Sequence, residues 1–558
     1  MKFFKERIEY IFPFILFILI LVLKYPVLNL PYSWDVMNYV IPATQYIYEN
    51  GFTIFLWNYS NGHPPFYFIF LGFIFKLFGS SQIVSHLVIV FFSFLATYYT
   101  YLLGKHLFSR RVGFISSFMM FFYPTFFSHS GMSHLAIPLT ALTIMSIYYF
   151  IKGYKIIYVI FSSLLVLTNE MVIVVPVALL FYKFLNDKRI NIKKNLIFFI
   201  PLFIFLSWLL SNKLYYGYFF WPQSLALFSI NIIKIILSGF IILKNLFFDY
   251  YKWILTSFVL ISCFSLKLLV NKKRVFLSLI LSFILFFLMF NSPMLSIYFN
   301  NYFPNIINYF LILKKFSVLF SFLFLVFLLS INKFVDFWNN KRFYPLYSVL
   351  IFAFLFYTLF IPFAPRYALP IYPIIFIIFS IALIKIFKKY SYFIFIIILL
   401  LFITQWFGDR DTVGFTLESN MEYADAIKTH KEAASYIENN FPNSVIIASY
   451  PQSLELQFPY LGYVSKPLNV ISIPPWSGLV SKNFTLYFNP EKYERNINLN
   501  TLDIIYYSDQ EFETRYSQEI YSILNKNLIK NFELNGKIVK IYKINKNVKY
   551  PNYTLPPD

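Results

Sequence analysis

Two ionisable residues stand out for where they fall along the chain. Asp35, in PYSWDVMNYV, follows the first long apolar run almost at once, beside Trp34; Arg366, in FAPRYALPIYP, is the single cation between Arg342 and Lys385 and abuts another apolar run. A carboxylate at an apolar boundary is partly desolvated, which raises its pKa and suits it to take a proton from a substrate hydroxyl. Asp35 also fits a helix N-cap ahead of VMNYVIPATQYIYENG, and one side chain can fill both roles. A planar guanidinium at headgroup level suits a bidentate grip on phosphate, or it anchors the chain at the interface. Glu170, in LTNEMVIVVP, can orient or pair with a cation, or be an ordinary carboxylate in a short loop. His63, His129 and His134 lie in outer segments and could join a phosphate or metal site, but their spacing follows no metal-ligand pattern.

The elements that must position these groups are membrane helices. Of 558 residues, 59% are hydrophobic and only 13% charged, and apolar runs of roughly 15 to 25 residues recur from Tyr10 to Phe407. Residues 10–30 read as a retained first span, with Lys24 snorkelling outward. The single Cys263 provides neither a disulfide framework nor a Cys metal site. The net charge of +22 is unevenly spread, since only eight of the 25 acids precede residue 409. Cations flank the apolar runs in clusters, as the positive-inside rule expects, so nucleic acid is not needed to explain the basic balance. Successive inner clusters must be separated by two crossings. That parity demotes 64–79, which opens with Pro64-Pro65, and 229–246, which is interrupted by Lys234, Gly239 and Lys244, to juxtamembrane elements. About 13 spans remain, placing the N-terminus in the cytoplasm and the chain after residue 408 outside. Asp35, Glu49, Glu170 and Asp249 then share the outer face, whereas Glu6, Glu9, Asp187 and Asp336 fall inside. Ionisable groups so close to hydrocarbon are functional candidates by default.

Beyond Gln405-Trp406 the pattern changes. Residues 424–440 have helical periodicity, 444–450 and 502–508 read as strands, and 511–527 as a helix; LIKNFELNGKIVKIYKI reads as a hairpin turning at Asn535-Gly536. The expected fold is a polytopic α-helical membrane domain, residues 1–408, followed by a small extracytoplasmic α/β domain, residues 409–558. The second domain carries neither a nucleophile motif nor a Gly-rich phosphate loop, which favours a structural or acceptor-guiding cap.

Order and spacing of several motifs resemble the lipid-linked-sugar glycosyltransferases of the GT-C superfamily, in the branch of the protein O-mannosyltransferases and the lipid A aminoarabinose transferase. The first outer loop carries Asp35, Tyr39, Ala43, Gly51 and His63-Pro64-Pro65; KHLFSRRVGFISSFMMFFYPTFFSHSGMSHLAIPLTAL is similar to the approach to the second outer loop; TNEMVIVVP and RYALPIYP are similar to two later signatures. These motifs cover most of residues 10–385. The resemblance implies an inverting transfer from a polyprenyl-phosphate sugar to a hydroxyl on a protein, glycolipid or surface polymer. In that scheme Asp35 is the base, Arg366 with His63 holds the donor phosphate, and Tyr367 and Glu170 shape the cavity. The chain departs from the family pattern at Val36, where many members have a second acid, at His134, which stands where an Asp is often found, and at Asn169 in place of Lys. A divalent metal held by paired carboxylates is thereby put in question, while His134 becomes a candidate contribution from the second outer loop. The rival classes are a lipid or glycolipid flippase, which should show inverted repeats and midplane charges, and an oligosaccharyltransferase, which should show an acidic pair in the second outer loop.

Overall fold

Apolar segments of this length become helices because lipid offers no partner for backbone N–H and C=O groups. The computed structural model describes residues 2–186, 195–222, 228–263, 340–359, 365–407, 418–473, 496–508 and 515–554. Among them, three helical runs are long and apolar enough to cross a membrane: Gln82–Leu107, Leu196–Tyr216 and Pro365–Ile403. The last run is two helices, Tyr372–Phe387 and Ser391–Ile403, broken at Lys388 (φ 44°) and packed against each other. Two expected spans, 275–291 and 314–331, and the acids Asp187 and Asp336 lie outside the described residues.

The helix Gln82–Leu107 is the hub of this region. It packs against Lys2–Lys24, Arg110–Phe122 and Ala136–Lys152. Its contact with Arg110–Phe122 depends on small residues, since a Cβ on Gly113 would lie 2.3 Å from the Tyr101 carbonyl oxygen. Backbones approach closely only where side chains are absent, a common device for helix pairs in lipid. Ile11, Phe14, Ile15, Ile18 and Val22 remain exposed on the first helix, the stripe expected of a lipid-facing surface.

The helix Phe66–Phe78 starts right after Pro64-Pro65 and has 13 residues, about 20 Å against a hydrocarbon core of about 30 Å. It lies against Ile41–Asn50, with Gly72 so close to Ile47 that a Cβ would come within 2.5 Å. Glu49, on the other side of Ile41–Asn50, accepts a hydrogen bond from Gln45 on an exposed face. Lys24 differs from expectation: it is fully buried, its ammonium donating to the Phe127 carbonyl and lying 3.1 Å from the centre of that ring. The carbonyl and the aromatic face replace the water that snorkelling would have supplied.

The chain after residue 418 forms a mixed sheet in the order β2-β1-β4-β6-β5, with β1 (Ile446–Ser449), β2 (Val470–Ile473) and β4 (Ile504–Ser508) parallel, and β6 (Lys537–Ile544) and β5 (Lys526–Leu534) added antiparallel. A second, two-stranded sheet pairs β3 (Asn496–Asn498) with β7 (Asn552–Thr554). The expected hairpin is present, and both turn residues, Asn535 (φ 49°) and Gly536 (φ 75°), have the positive φ that matches the twist of a two-residue turn. Helix Glu422–Asn440 covers β5 and β6. Beneath it, His430 Nδ1 lies 3.0 Å from both Glu455 oxygens, His430 Nε2 lies 2.9 Å from Ser508 Oγ, and Tyr506 donates to Glu455 at 3.0 Å. Ser508 exposes no surface. The cluster therefore acts as an internal strut joining two helices to β4, its polar groups satisfying one another.

Candidate active site

Asp35 is aimed by a local break in the chain. Trp34 has φ 41°, uncommon for a bulky residue, and Val36–Val40 that follows is a π-helical turn. Asp35 itself is helical (φ −57°, ψ −29°) and its side chain makes no capping hydrogen bond, so the N-cap role is not taken. Instead, Arg366 Nη2 donates to Asp35 Oδ2 at 2.5 Å, across 331 residues of sequence. Arg366 is held by the 3-10 helix Pro365–Ile371, whose Ala368 and Leu369 are fully buried. Its guanidinium lies 5.4 Å from the centre of the Tyr367 ring.

His134 closes on the same carboxylate. Its Nδ1 accepts from the Ala136 N–H at 3.2 Å, at the start of helix Ala136–Lys152, which leaves the proton on Nε2. That Nε2 lies 3.7 Å from Asp35 Oδ2 and 3.3 Å from the Tyr39 hydroxyl. Burial alone would raise the Asp35 carboxyl, but the Arg366 guanidinium, and after it His134, outweighs burial and holds the group well below the usual carboxylate range. The raised pKa expected from the sequence is thus corrected, because desolvation was counted without the cation brought in from the distant segment. Burial, reinforced by Asp35, pushes the Tyr39 phenol upward, so it stays protonated and can donate.

His63 and Glu170 form a second pair, Nδ1 to Oε2 at 3.0 Å, with Asn169 Nδ2 3.3 Å from the same ring nitrogen. Gly62 (φ 77°) makes the turn that presents His63, and a Cβ there would overlap Trp221 at 2.3 Å. Asn169 Oδ1 accepts from the Met171 N–H and so opens the turn that carries Glu170. Burial would lower the His63 imidazole, but the Glu170 carboxylate overcomes it and its pKa is raised. Tyr39 links the two pairs, its ring 5.1 Å from that of His63 and its hydroxyl on His134. Asp35, His63, His134, Glu170, Arg366 and Tyr367, six of the residues singled out from the sequence, thus fall in one connected cluster, and the ring of His129 lies 5.5 Å from that of His134. Asp249 pairs instead with Lys244 at 3.6 Å.

One member was not anticipated. Glu418 Oε2 accepts from Arg366 Nη1 at 2.6 Å, and both side chains are about 95% buried. Glu418 is placed by Ser128, whose hydroxyl donates to the Glu418 carbonyl at 2.6 Å. Nearby, Trp406 stacks on Phe127 at 3.6 Å and its carbonyl accepts from the Met421 N–H. The only sequence signal was an acid shortly after the last apolar run, and nothing in its neighbours distinguishes it from other acids in that region. Among the described residues, no three His, Cys, Asp or Glu side chains converge as a metal-holding group.

Part of the sequence and the fold are similar to known proteins. A family model described as dolichyl-phosphate-mannose-protein mannosyltransferase matches residues 62–215, the part that carries His63, His134 and Glu170. The fold is similar to that of ArnT from Cupriavidus metallidurans in the apo state, with TM-score 0.51 at 11% identity, covering 94% of this chain and 97% of that one. Residues 62–215 thus resemble a lipid-linked mannosyltransferase family, and the chain as a whole shares the fold of ArnT. More distant similarities are to ArnT from the same organism bound to undecaprenyl phosphate (TM-score 0.48, 12% identity, 94% of this chain and 97% of that one) and to the archaeal oligosaccharyltransferase AglB from Archaeoglobus fulgidus in complex with an inhibitory peptide and a dolichol-phosphate (TM-score 0.38, 11% identity, 96% and 74%). No curated protein sequence matches at a significant level. With three described helical runs long and apolar enough to cross a membrane, the chain reads as an integral membrane protein, and the cluster around Asp35 and Arg366 is its candidate functional site.

Proposed function

We propose that this protein is an inverting glycosyltransferase that moves a sugar from a polyprenyl-phosphate donor to an acceptor hydroxyl on a protein, glycolipid or surface polymer. The N-terminus lies in the cytoplasm, and the site and the C-terminal domain lie on the outer side. The observation that carries the proposal is the contact of Asp35 and Arg366 at 2.5 Å, which sets a proton acceptor beside a phosphate-binding cation. The family described for residues 62–215 supports the class of donor.

In this scheme the acceptor oxygen attacks the anomeric carbon while the bond from that carbon to the phosphate oxygen breaks. The acceptor proton passes to Asp35, and the phosphate leaves with the bonding electron pair. Such transition states resemble an oxocarbenium ion, and a single displacement inverts the anomeric centre. The leaving phosphate needs charge stabilisation rather than a strong acid, and Arg366 supplies it, with His63 at the outer edge of the site. Tyr367 and Glu170 shape the surroundings. The Arg366 guanidinium lies between Asp35 and Glu418, where a divalent cation would otherwise balance two carboxylates, so the transfer is proposed to run without a resident metal.

The test is transfer by the purified full-length protein from a panel of polyprenyl-phosphate sugars, with and without EDTA, for wild type and Asp35→Asn. Loss of general-base catalysis is worth about 10² to 10⁴ in rate. Full activity in a folded Asp35→Asn protein would remove the base assignment. Failure with every donor, alongside substrate-dependent transport in liposomes, would favour a flippase.

A further inference from the structure

The two η nitrogens of Arg366 are divided between two carboxylates in different surroundings. Nη1 faces Glu418, 4% exposed, and Nη2 faces Asp35, 26% exposed. Glu418 belongs to the segment that enters the C-terminal domain and is fastened through its backbone to Ser128 of the second outer loop. A phosphate arriving from the open side therefore meets the Nη2 edge, where Asp35 already sits. Bound in that way, Asp35 is a poor base, since its Oδ2 is paired with the cation, which stabilises the unprotonated carboxylate.

We propose that Glu418 is a positioning residue of the transfer site: by engaging Nη1 it leaves donor phosphate and Asp35 to compete for Nη2, so that donor binding releases Asp35 to accept the proton. This rests on the assignment of Asp35 and Arg366 made above. Without Glu418 both η nitrogens are available, the phosphate takes one, Asp35 keeps the other, and the base is never released. In the donor complex Asp35 is faced by His134, His63, Tyr39 and Tyr367 as well as by the displaced guanidinium and, behind it, Glu418. The His134 Nε2–H, 3.7 Å away, is placed to take over part of the charge. The released carboxylate loses its nearest cation, and its proton affinity rises toward that of an ordinary or mildly buried acid. A donor-bound enzyme thus has a competent base, and an empty one does not.

The experiment compares pH–rate profiles of the full-length protein, because kcat/KM for the donor reports the free enzyme and kcat reports the complex. In wild type the acid limb of kcat should lie at least about one pH unit above that of kcat/KM. In Glu418→Ala, kcat should fall tenfold or more and the two limbs should coincide, with the donor KM equal or lower. Glu418→Gln keeps a neutral acceptor for Nη1 and should be intermediate; it also serves as the test if the alanine protein does not fold. Coincident limbs in wild type, or a Glu418 variant that keeps both the wild-type kcat and the separation of limbs, would overturn the proposal. An active, folded Asp35→Asn protein would instead overturn the assignment on which it rests.

Discussion

Replacing Arg366 by Gln removes the cation and leaves two carboxylates facing each other across the site. The contact with Glu418 is 2.6 Å long with both partners about 95% buried, and that with Asp35 is 2.5 Å long. At an effective dielectric constant of about 20, unit charges 4 Å apart interact by about 4 kcal/mol, and removing one member of a buried pair costs about 3 to 5 kcal/mol. Arg366→Gln should therefore destabilise the protein by about 3 to 5 kcal/mol at neutral pH, measured by unfolding in mixed micelles. The defect should also depend on pH. In wild type, Asp35 has a depressed pKa, so its contribution is present above the ordinary carboxylate pKa of about 4 and is lost as pH falls below it. Without Arg366, burial is left to raise the Asp35 pKa, and stability then falls as pH rises from about 4 toward neutrality. The difference between variant and wild type should be largest near pH 7 and should shrink in acid. The double variant Arg366→Gln, Glu418→Gln removes the most deeply buried unpaired charge and should regain a substantial part of the loss. A single variant as stable as wild type, or a double variant no more stable than the single, would refute the electrostatic account.

Two further substitutions test other parts of the structure. Glu170→Gln should lower the His63 pKa, visible in the imidazole NMR shifts of selectively labelled protein. Because that pKa is raised in the folded state, the stabilisation, about 1 kcal/mol, is present below about pH 6.5, fades as pH rises through the folded value, and should be absent in the variant. His430→Gln breaks the strut between Glu455, Ser508 and Tyr506 and should cost about 1 to 3 kcal/mol, read as earlier proteolytic opening of the C-terminal domain. No change in proteolysis would show that these hydrogen bonds contribute nothing net.

Much of the architecture follows from one-dimensional pattern. Periodicity and turn chemistry in the C-terminal domain suffice for the helix at Glu422–Asn440, strands β1 and β4 and the Asn535-Gly536 turn, because each depends on neighbouring residues alone. Scarcity of charge did the same for the site. Where acids are few and hydrocarbon is near, each ionisable group beside an apolar run is conspicuous, and Asp35, His63, Glu170 and Arg366 could be picked out singly.

What sequence alone could not supply was the pairing. A pKa depends on the net field at a carboxyl, and the field at Asp35 is dominated by a residue 331 positions away, so desolvation judged locally gave the wrong sign. Lys24 likewise was assigned to water by its position near a helix end, although the fold brings the Phe127 carbonyl and ring to it. Glu418 was hidden for the same reason. Its role is defined by the two contacts that place its backbone against Ser128 and its carboxylate against Arg366, and both are made across the chain rather than along it. Sequence periodicity specified the helices and strands and made the rare charges visible; only the tertiary structure decided which charge faces which, because Coulomb energies depend on distance through space.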